Sequence, residues 1–226
     1  DIDDEIADLY LEEAEIKQDV LMAAIRRATI KLLVTPVLCG AAYKNKGIQL
    51  LLDAVVDYLP SPMDLGAVIA QDPDDEERTI QRNPSSNEPF AALAFKLIND
   101  PYVGQQTFIR IFSGKLTSGM SFYNTNKMKY ERAGRIFRIK AKEREEISEA
   151  GAGEIVALVG MKYTKTGDTL CDENQPVLLE SIQIPPAVIE MKVNIEDKKN
   201  RNKLGEVLAK LCNEDPSFQS HYDEET

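Results

Sequence analysis

The feature that most constrains the fold is residues 37–62, where an apolar segment runs through a small-residue turn into a patterned helix. Pro60 and Pro62 end this helix, because proline supplies no backbone N–H. Burial of each of its apolar side chains is worth roughly 1.5–3 kcal/mol, so the helix is expected to pack against a sheet. A strand–turn–helix is also how an α/β sheet presents backbone N–H groups to a ligand. The apolar side chains recur at the spacing of one helical face: Ile48, Leu51, Leu52, Val55, Val56 and Leu59.

Composition indicates an ordinary globular protein of one or two domains. The chain has 226 residues, of which 43% are hydrophobic and 29% charged. No apolar run approaches the roughly 20 residues of a membrane helix. Three widely spaced cysteines and the single histidine, His221, make a zinc site and Ser/His or Cys/His catalysis poor predictions. Reduced cytosolic thiols are therefore expected.

Charge is distributed unevenly along the chain. The formal net charge is −11, with acidic clusters in residues 1–15 and 72–77, whereas residues 127–144 are mainly basic. A local basic surface in an acidic protein can dock on phosphate groups, and a merely solvated strand face is about equally plausible. We call these cations the basic stripe: Lys127, Lys129, Arg132, Arg135, Arg138, Lys140, Lys142 and Arg144.

Beyond Phe90 the hydrophobic pattern changes from helical to alternating. Short alternating segments separated by Gly, Pro, Asn and Asp turns predict a closed antiparallel barrel. The candidate strands are residues 91–98, 105–112, 120–124, 133–139, 154–159 and 177–182.

The fold class predicted is mixed, with three parts. Residues 1–62 form the α/β part, with a helix over 16–28 and a strand over 31–39. Residues 63–186 form the antiparallel β-barrel. Residues 187–226 begin an α+β domain, with a strand over 187–193, a helical stripe over 204–211 and a further strand from Phe218.

Residues 37–62 also resemble the fifth guanine-nucleotide motif of translational GTPases, and the chain as a whole resembles bacterial elongation factor G. The turn Gly40, Ala41, Ala42, Tyr43 precedes Lys-Asn-Lys-Gly at residues 44–47, with Ala41 where the family usually carries serine. The resemblance implies that the Ala42 N–H reads the guanine carbonyl. Further short segments that match the family lie at residues 89–96, 100–104, 107–110, 144–147, 166–170 and 214–218.

The resemblance implies the end of a GTP-binding domain, a second-domain barrel and the start of a third domain. It further implies a parent that binds GTP or GDP with Mg²⁺ and drives translocation on the ribosome. The basic stripe would then contact ribosomal RNA of the small subunit. We expect a cytoplasmic monomer that binds neither membrane nor DNA.

No phosphate-loop motif G-x-x-x-x-G-K-[ST] occurs in the 226 residues. We therefore expect a catalytically inert piece of a larger protein, which needs no cofactor itself. Two alternatives remain open. One is a related translational GTPase of the ribosome-protection or release-factor type; the other is a stand-alone RNA-binding barrel.

Overall fold

The computed structural model describes residues 2–100, 104–141, 143–180, 182, 184, 187–193 and 201–221. The chain divides into two compact units, residues 1–66 and residues 67–226. The first unit is helical, and the second is built mainly on antiparallel strands. Within the described ranges, no helix is both long and apolar enough to cross a membrane.

The described part of the first unit consists mainly of α-helices, and Arg26 of one helix donates hydrogen bonds to two others. Arg26 donates to the carbonyl oxygens of Val56 (3.2 Å) and Asp57 (2.9 Å) and to Oδ2 of Asp64 (2.7 Å). A cation at a helix C-terminus is favourable because the last carbonyl groups lack partners within the helix. The α-helices are α1 Asp4–Leu11, α2 Gln18–Ile30, α3 Ile48–Tyr58 and α4 Pro62–Leu65.

The two helices expected in this unit are present as α2 and α3, but the predicted burial of the α3 stripe is wrong. Only Ala54 of α3 is buried, while Leu52 is 61% and Val56 76% exposed. The predicted strand over residues 31–39 does not form. Within this unit the apolar stripe therefore has no sheet to pack against.

Twelve strands make up the sheets of the second unit's described residues. Eight form one antiparallel sheet, and the remaining four form two separate pairs. The strands are β1 Val68–Asp72, β2 Asp75–Arg82, β3 Ala91–Asp100, β4 Gly104–Ser113, β5 Lys115–Thr117, β6 Ser121–Asn124, β7 Lys129–Arg132, β8 Arg135–Lys140, β9 Glu143–Ile147, β10 Glu149–Gly151, β11 Ile155–Val159 and β12 Thr169–Cys171.

The sheet has the order β7-β6-β12-β3-β4-β11-β8-β9, with β1–β2 and β5–β10 as separate pairs. Five of the six predicted strands match β3, β4, β6, β8 and β11 to within a few residues. In the sixth, residues 177–182, the described residues form only an isolated bridge from Leu178 to Gln71. No ladder of the described residues joins β7 to β9, so the antiparallel fold is barrel-like rather than the closed ring expected.

Side-chain alternation divides the interior of this unit into two cores. Ala92 and Ala94 of β3 pack into the main core, whereas Ala91 and Leu93 pack into a second core that includes Ala70 of β1. This is the period of two expected for a strand covered on both faces. The main core includes these fully buried large side chains: Phe122, Ile109, Ile111, Leu116, Ile136, Leu158 and Leu170.

The last described part of the chain contains one helix, α5 Arg201–Glu214. This matches the helical stripe over 204–211, and Oε1 of Glu214 accepts a hydrogen bond from the Asn99 N–H at 2.6 Å. Residues 187–193 form no strand, contrary to the prediction, and Val188 and Met191 are exposed. The apolar pattern there finds no neighbouring strand among the described residues. The strand expected from Phe218 is absent as far as residue 221, the last residue described.

Candidate functional site

The candidate guanine turn is a locally folded loop between residues 34–40, which have no regular secondary structure, and α3. Ala41 and Lys46 exchange two backbone hydrogen bonds, with N···O distances of 3.0 and 3.1 Å. Residues Ala42–Lys44 form a single 3-10 turn, closed by Asn45 in the left-handed region at φ 50°. Because these bonds lie within the loop, its shape does not depend on a neighbouring sheet.

Glycine is required at the start of this turn. A Cβ on Gly40 would lie 2.9 Å from the carbonyl oxygen of Lys46, which is closer than van der Waals contact allows. Ala41 and Ala42 are exposed, and Tyr43 is fully exposed. The residues of the turn are thus open to solvent, and guanine recognition by the Ala42 N–H stays a prediction.

The basic stripe is distributed over three strands, and β7 is not a sheet neighbour of the other two, β8 and β9. Lys129 and Arg132 lie on β7, whereas Arg135, Arg138 and Lys140 lie on β8, and these strands stand near opposite ends of the sheet order. Arg144 lies on β9. Lys127 precedes β7, and Lys142 lies outside the described residues.

Several cations of the stripe are engaged by carboxylates. Arg138 contacts Oε2 of Glu154 at 2.6 Å, and Lys140 contacts Oε2 of Glu145 at 3.4 Å. The Arg138 guanidinium, with the Gly151 N–H, holds the pKa of the Glu154 carboxyl below its usual range. Two further cations are paired in the same way: Lys127 with Asp168 at 3.6 Å and Arg144 with Asp100 at 2.5 Å.

Lys129, Arg132 and Arg135 are exposed and form no ion pair with the described residues. Arg132 donates from Nε to the Gly119 carbonyl at 2.8 Å. The Arg135 guanidinium carbon lies 5.4 Å from the centre of the Phe137 ring. Among the predicted RNA contacts that the structure describes, these three have their charge least compensated.

Arg132 and Arg135 line one shallow depression of about 480 Å³ with backbone and small side chains. Gly134 separates the two arginines, and a Cβ there would lie 2.3 Å from the Val159 carbonyl oxygen. The chain can therefore make this corner only with glycine. The described lining contains no carboxylate: Ser118, Gly119, Arg132, Ala133, Gly134, Arg135 and Val159.

The structure also brings a loop against β7 that sequence reasoning missed. The Glu131 side chain is buried and accepts hydrogen bonds from the N–H groups of Lys162 (2.6 Å) and Tyr163 (3.2 Å) and from the Thr164 hydroxyl. In the sequence, Glu131 stands out only as a negative charge within the basic stripe. The available signal was the run of tyrosine and threonine flanked by two lysines in residues 162–165.

Comparison with known proteins gives a consistent family assignment. The family model described as Elongation factor G domain 2 matches residues 89–173. The model described as Elongation Factor G, domain III matches residues 184–226, and the two together cover more than half of the chain.

Among solved structures, a protein of Thermus thermophilus is similar at 25% identity with a TM-score of 0.75. The similarity covers 99% of this chain and 31% of the other. The chain therefore spans about a third of the length of the protein it matches.

Proposed function

The chain belongs to the elongation factor G family of translation factors, and from this premise we propose that it is part of a GTP-dependent ribosomal translocase. The observation that carries the proposal is the order of parts along one chain. A guanine-type turn with its helix precedes the barrel-like unit, and the second-domain match is followed by the third-domain match. A stand-alone RNA-binding barrel would not need the turn.

In this proposal GTP or GDP is held by the whole protein, with the guanine against the turn at Gly40, Ala41, Ala42 and Tyr43. The tight Gly40 contact and the exposure of Ala42 fit a backbone reading of the base. Phosphoryl transfer depends on a phosphate loop, Mg²⁺ and a positioned water, and this sequence has no phosphate loop. The chain by itself is therefore proposed to be inactive as a GTPase, and Mg²⁺ is proposed to bind elsewhere in the whole protein.

The barrel-like unit is proposed to dock on ribosomal RNA of the small subunit in the cytoplasm. The uncompensated cations Lys129, Arg132 and Arg135 support this part, because free guanidinium and ammonium groups release counterions when they meet phosphate. Arg is particularly suited to phosphate, since its planar group offers two parallel donors. Arg138 and Lys140, held by Glu154 and Glu145, contribute less.

Binding of this chain to purified small ribosomal subunits at several salt concentrations tests the docking. The variant with both Arg132→Ala and Arg135→Ala is expected to bind more weakly. Its plot of log affinity against log salt should be shallower by roughly 1.5, since each neutralised phosphate contributes about 0.7–0.9. Lys140→Ala is the matched control, because Lys140 is exposed but paired with Glu145. Equal binding and slope for the double variant and the native chain would contradict RNA docking at this surface.

A further inference from the structure

The loop of residues 162–165 presents an aromatic ring among cations. Tyr163 is 45% exposed, and Lys129 Nζ of β7 lies 4.1 Å from its ring centre. Lys162 and Lys165, on either side of the tyrosine in sequence, are both exposed. A cation this close to a ring face is favourable, so the tyrosine and Lys129 hold each other in place.

Two buried carboxylates fix the backbone of this loop. Glu131 accepts hydrogen bonds from the N–H groups of Lys162 and Tyr163. Oδ2 of Asp168 accepts from the Lys165 N–H at 2.8 Å and from Asn124 Nδ2 at 3.0 Å.

Both acids are more than nine-tenths buried, and their carboxylates accept hydrogen bonds from backbone and side-chain donors inside the unit. The lysine side chains, in contrast, remain at the surface. Lys127 also reaches this network, with its Nζ 3.6 Å from Oδ1 of Asp168. The loop is thus ordered before any ligand arrives, which lowers the entropic cost of binding.

This combination suits one class of ligand. An exposed ring within a positively charged surface is how proteins bind single-stranded nucleic acid, with bases stacked on the ring and phosphates near the cations. An acidic peptide would use the lysines but gain nothing from the ring. A duplex would present phosphates but keep its base faces covered.

We propose that Tyr163, with Lys129, Lys162 and Lys165, binds unpaired nucleotides of RNA. The base stacks on the face of the Tyr163 ring that Lys129 does not cover, and the neighbouring phosphates meet the ammonium groups. This site deepens the proposed docking on ribosomal RNA, on which it rests, and it uses different residues from the depression at Arg132 and Arg135.

The test is fluorescence anisotropy of this chain with a labelled single-stranded RNA of about ten nucleotides, within the range of site sizes that such surfaces cover. Tyr163→Ala is expected to weaken binding by roughly 5- to 150-fold, the range measured for one stacked base. Tyr163→Phe keeps the ring and should bind like the native chain. Lys129→Gln should reduce the salt slope by about 0.7, the contribution of one phosphate on a single strand.

Tyr130→Ala is the matched control. Tyr130 of β7 is also exposed, but its ring packs on Tyr123 at a centroid distance of 5.3 Å. Its loss should leave RNA affinity unchanged. Circular dichroism of each variant checks that the fold is retained.

Three results would overturn the site: native affinity in Tyr163→Ala, equal affinity for duplex RNA, or equal affinity for an oligoglutamate peptide. The first result, together with loss of subunit binding in the Arg132→Ala, Arg135→Ala variant, would overturn the site while leaving the proposed docking intact. Tyr163-dependent RNA binding by a chain that does not bind ribosomal subunits would support the site and contradict the docking.

Discussion

Glu131 shows how a single buried carboxylate organises a surface loop. Its two oxygens accept hydrogen bonds from three consecutive residues, Lys162, Tyr163 and Thr164. Each of these donors would otherwise lose a protein partner in a region that is only partly open to water. The energetic cost of leaving such donors unpaired exceeds the modest net gain of an ordinary hydrogen bond.

Replacing Glu131 with alanine is therefore expected to lower the free energy of unfolding by roughly 2–3 kcal/mol, because several donors lose their acceptor together. Urea unfolding measures this change. Glu131→Gln keeps a carbonyl acceptor and should cost less. Equal stability of the alanine variant and the native chain would show that the network contributes little.

The Arg138–Glu154 pair gives a stability contribution that depends on pH. The pKa of Glu154 is lowered, first by Arg138 and then by the Gly151 N–H. The folded state therefore binds this proton more weakly than the unfolded state does. The contribution is fully present above the unfolded pKa of about 4.3 and is lost as the pH falls through the lower folded value.

Glu154→Gln should accordingly be less stable than the native chain at neutral pH, by less than about 1 kcal/mol because both side chains remain partly exposed to solvent. The difference should shrink as the pH falls from the unfolded pKa through the lower folded pKa, because the native carboxyl becomes protonated there. Thermal unfolding of both proteins between neutral and acidic pH measures it. A difference that is constant across this range would exclude the pair as its source.

At the scale of elements, the corner between β7 and β8 depends on close backbone approach. Gly134 follows Ala133 of the main core and precedes Arg135, the first residue of β8. β8 pairs with β11 through Arg135 and Val159. A Cβ added to Gly134 would lie only 2.3 Å from the carbonyl oxygen of the same Val159.

Gly134→Ala should therefore force β8 away from β11 and destabilise the second unit by roughly 1–3 kcal/mol, as overpacking commonly does. The measurement is the denaturant midpoint of the β-sheet signal. Gly205→Ala in α5 is the contrasting variant, because a Cβ there meets nothing within 4 Å. It should be neutral or stabilise the helix by up to about 1 kcal/mol. A native midpoint in Gly134→Ala would disprove the steric constraint.

At the scale of the whole molecule, the two units differ in how much apolar surface they bury. The second unit contains both clustered cores, including fully buried Ile109, Ile111 and Leu158. In the first unit the buried apolar residues are small, namely Ala24, Ala28 and Ala54 among those described. Apolar burial is the main source of stability, so the first unit should open at a lower free energy than the second.

Hydrogen exchange should consequently show slow amides in β3, β4 and β11 and fast amides in α1 and α2. Few buried contacts correspond to low local opening free energies. Mass spectrometry of peptides from the intact chain resolves the two regions. Equal protection across both regions would contradict this division of stability.

GTP hydrolysis should be absent from the purified chain even with Mg²⁺ present. In the proposed function the turn at Gly40 contacts only the base, whereas catalysis requires groups that hold the phosphates and the metal ion. Phosphate release after incubation with GTP measures this. Turnover that remains after repeated purification, and that Gly40→Ala abolishes, would contradict the assignment of catalysis to other parts of the whole protein.

The sequence by itself determined several of the local elements and indicated the family. Helix periodicity placed α2, α3 and α5, and alternation placed β3, β4 and β11, because these patterns reflect the repeat of the backbone itself. The turn at Gly40 could also be predicted from the sequence, because the hydrogen bonds that close it join residues 41 and 46, which are near each other in the chain. The motifs, taken in their order along the chain, were sufficient to indicate the elongation factor G family.

Only the tertiary structure decided which side chains are covered and which charges are free. The α3 stripe looked like a core face but is exposed, because burial requires a partner that periodicity cannot supply. The stripe of cations is continuous in sequence but divided among β7, β8 and β9, and carboxylates as distant as Asp100 and Glu154 neutralise some of its members. The contact of Lys129 with Tyr163 spans many residues. Such pairings depend on how strands pack in space, which is not encoded in any local pattern.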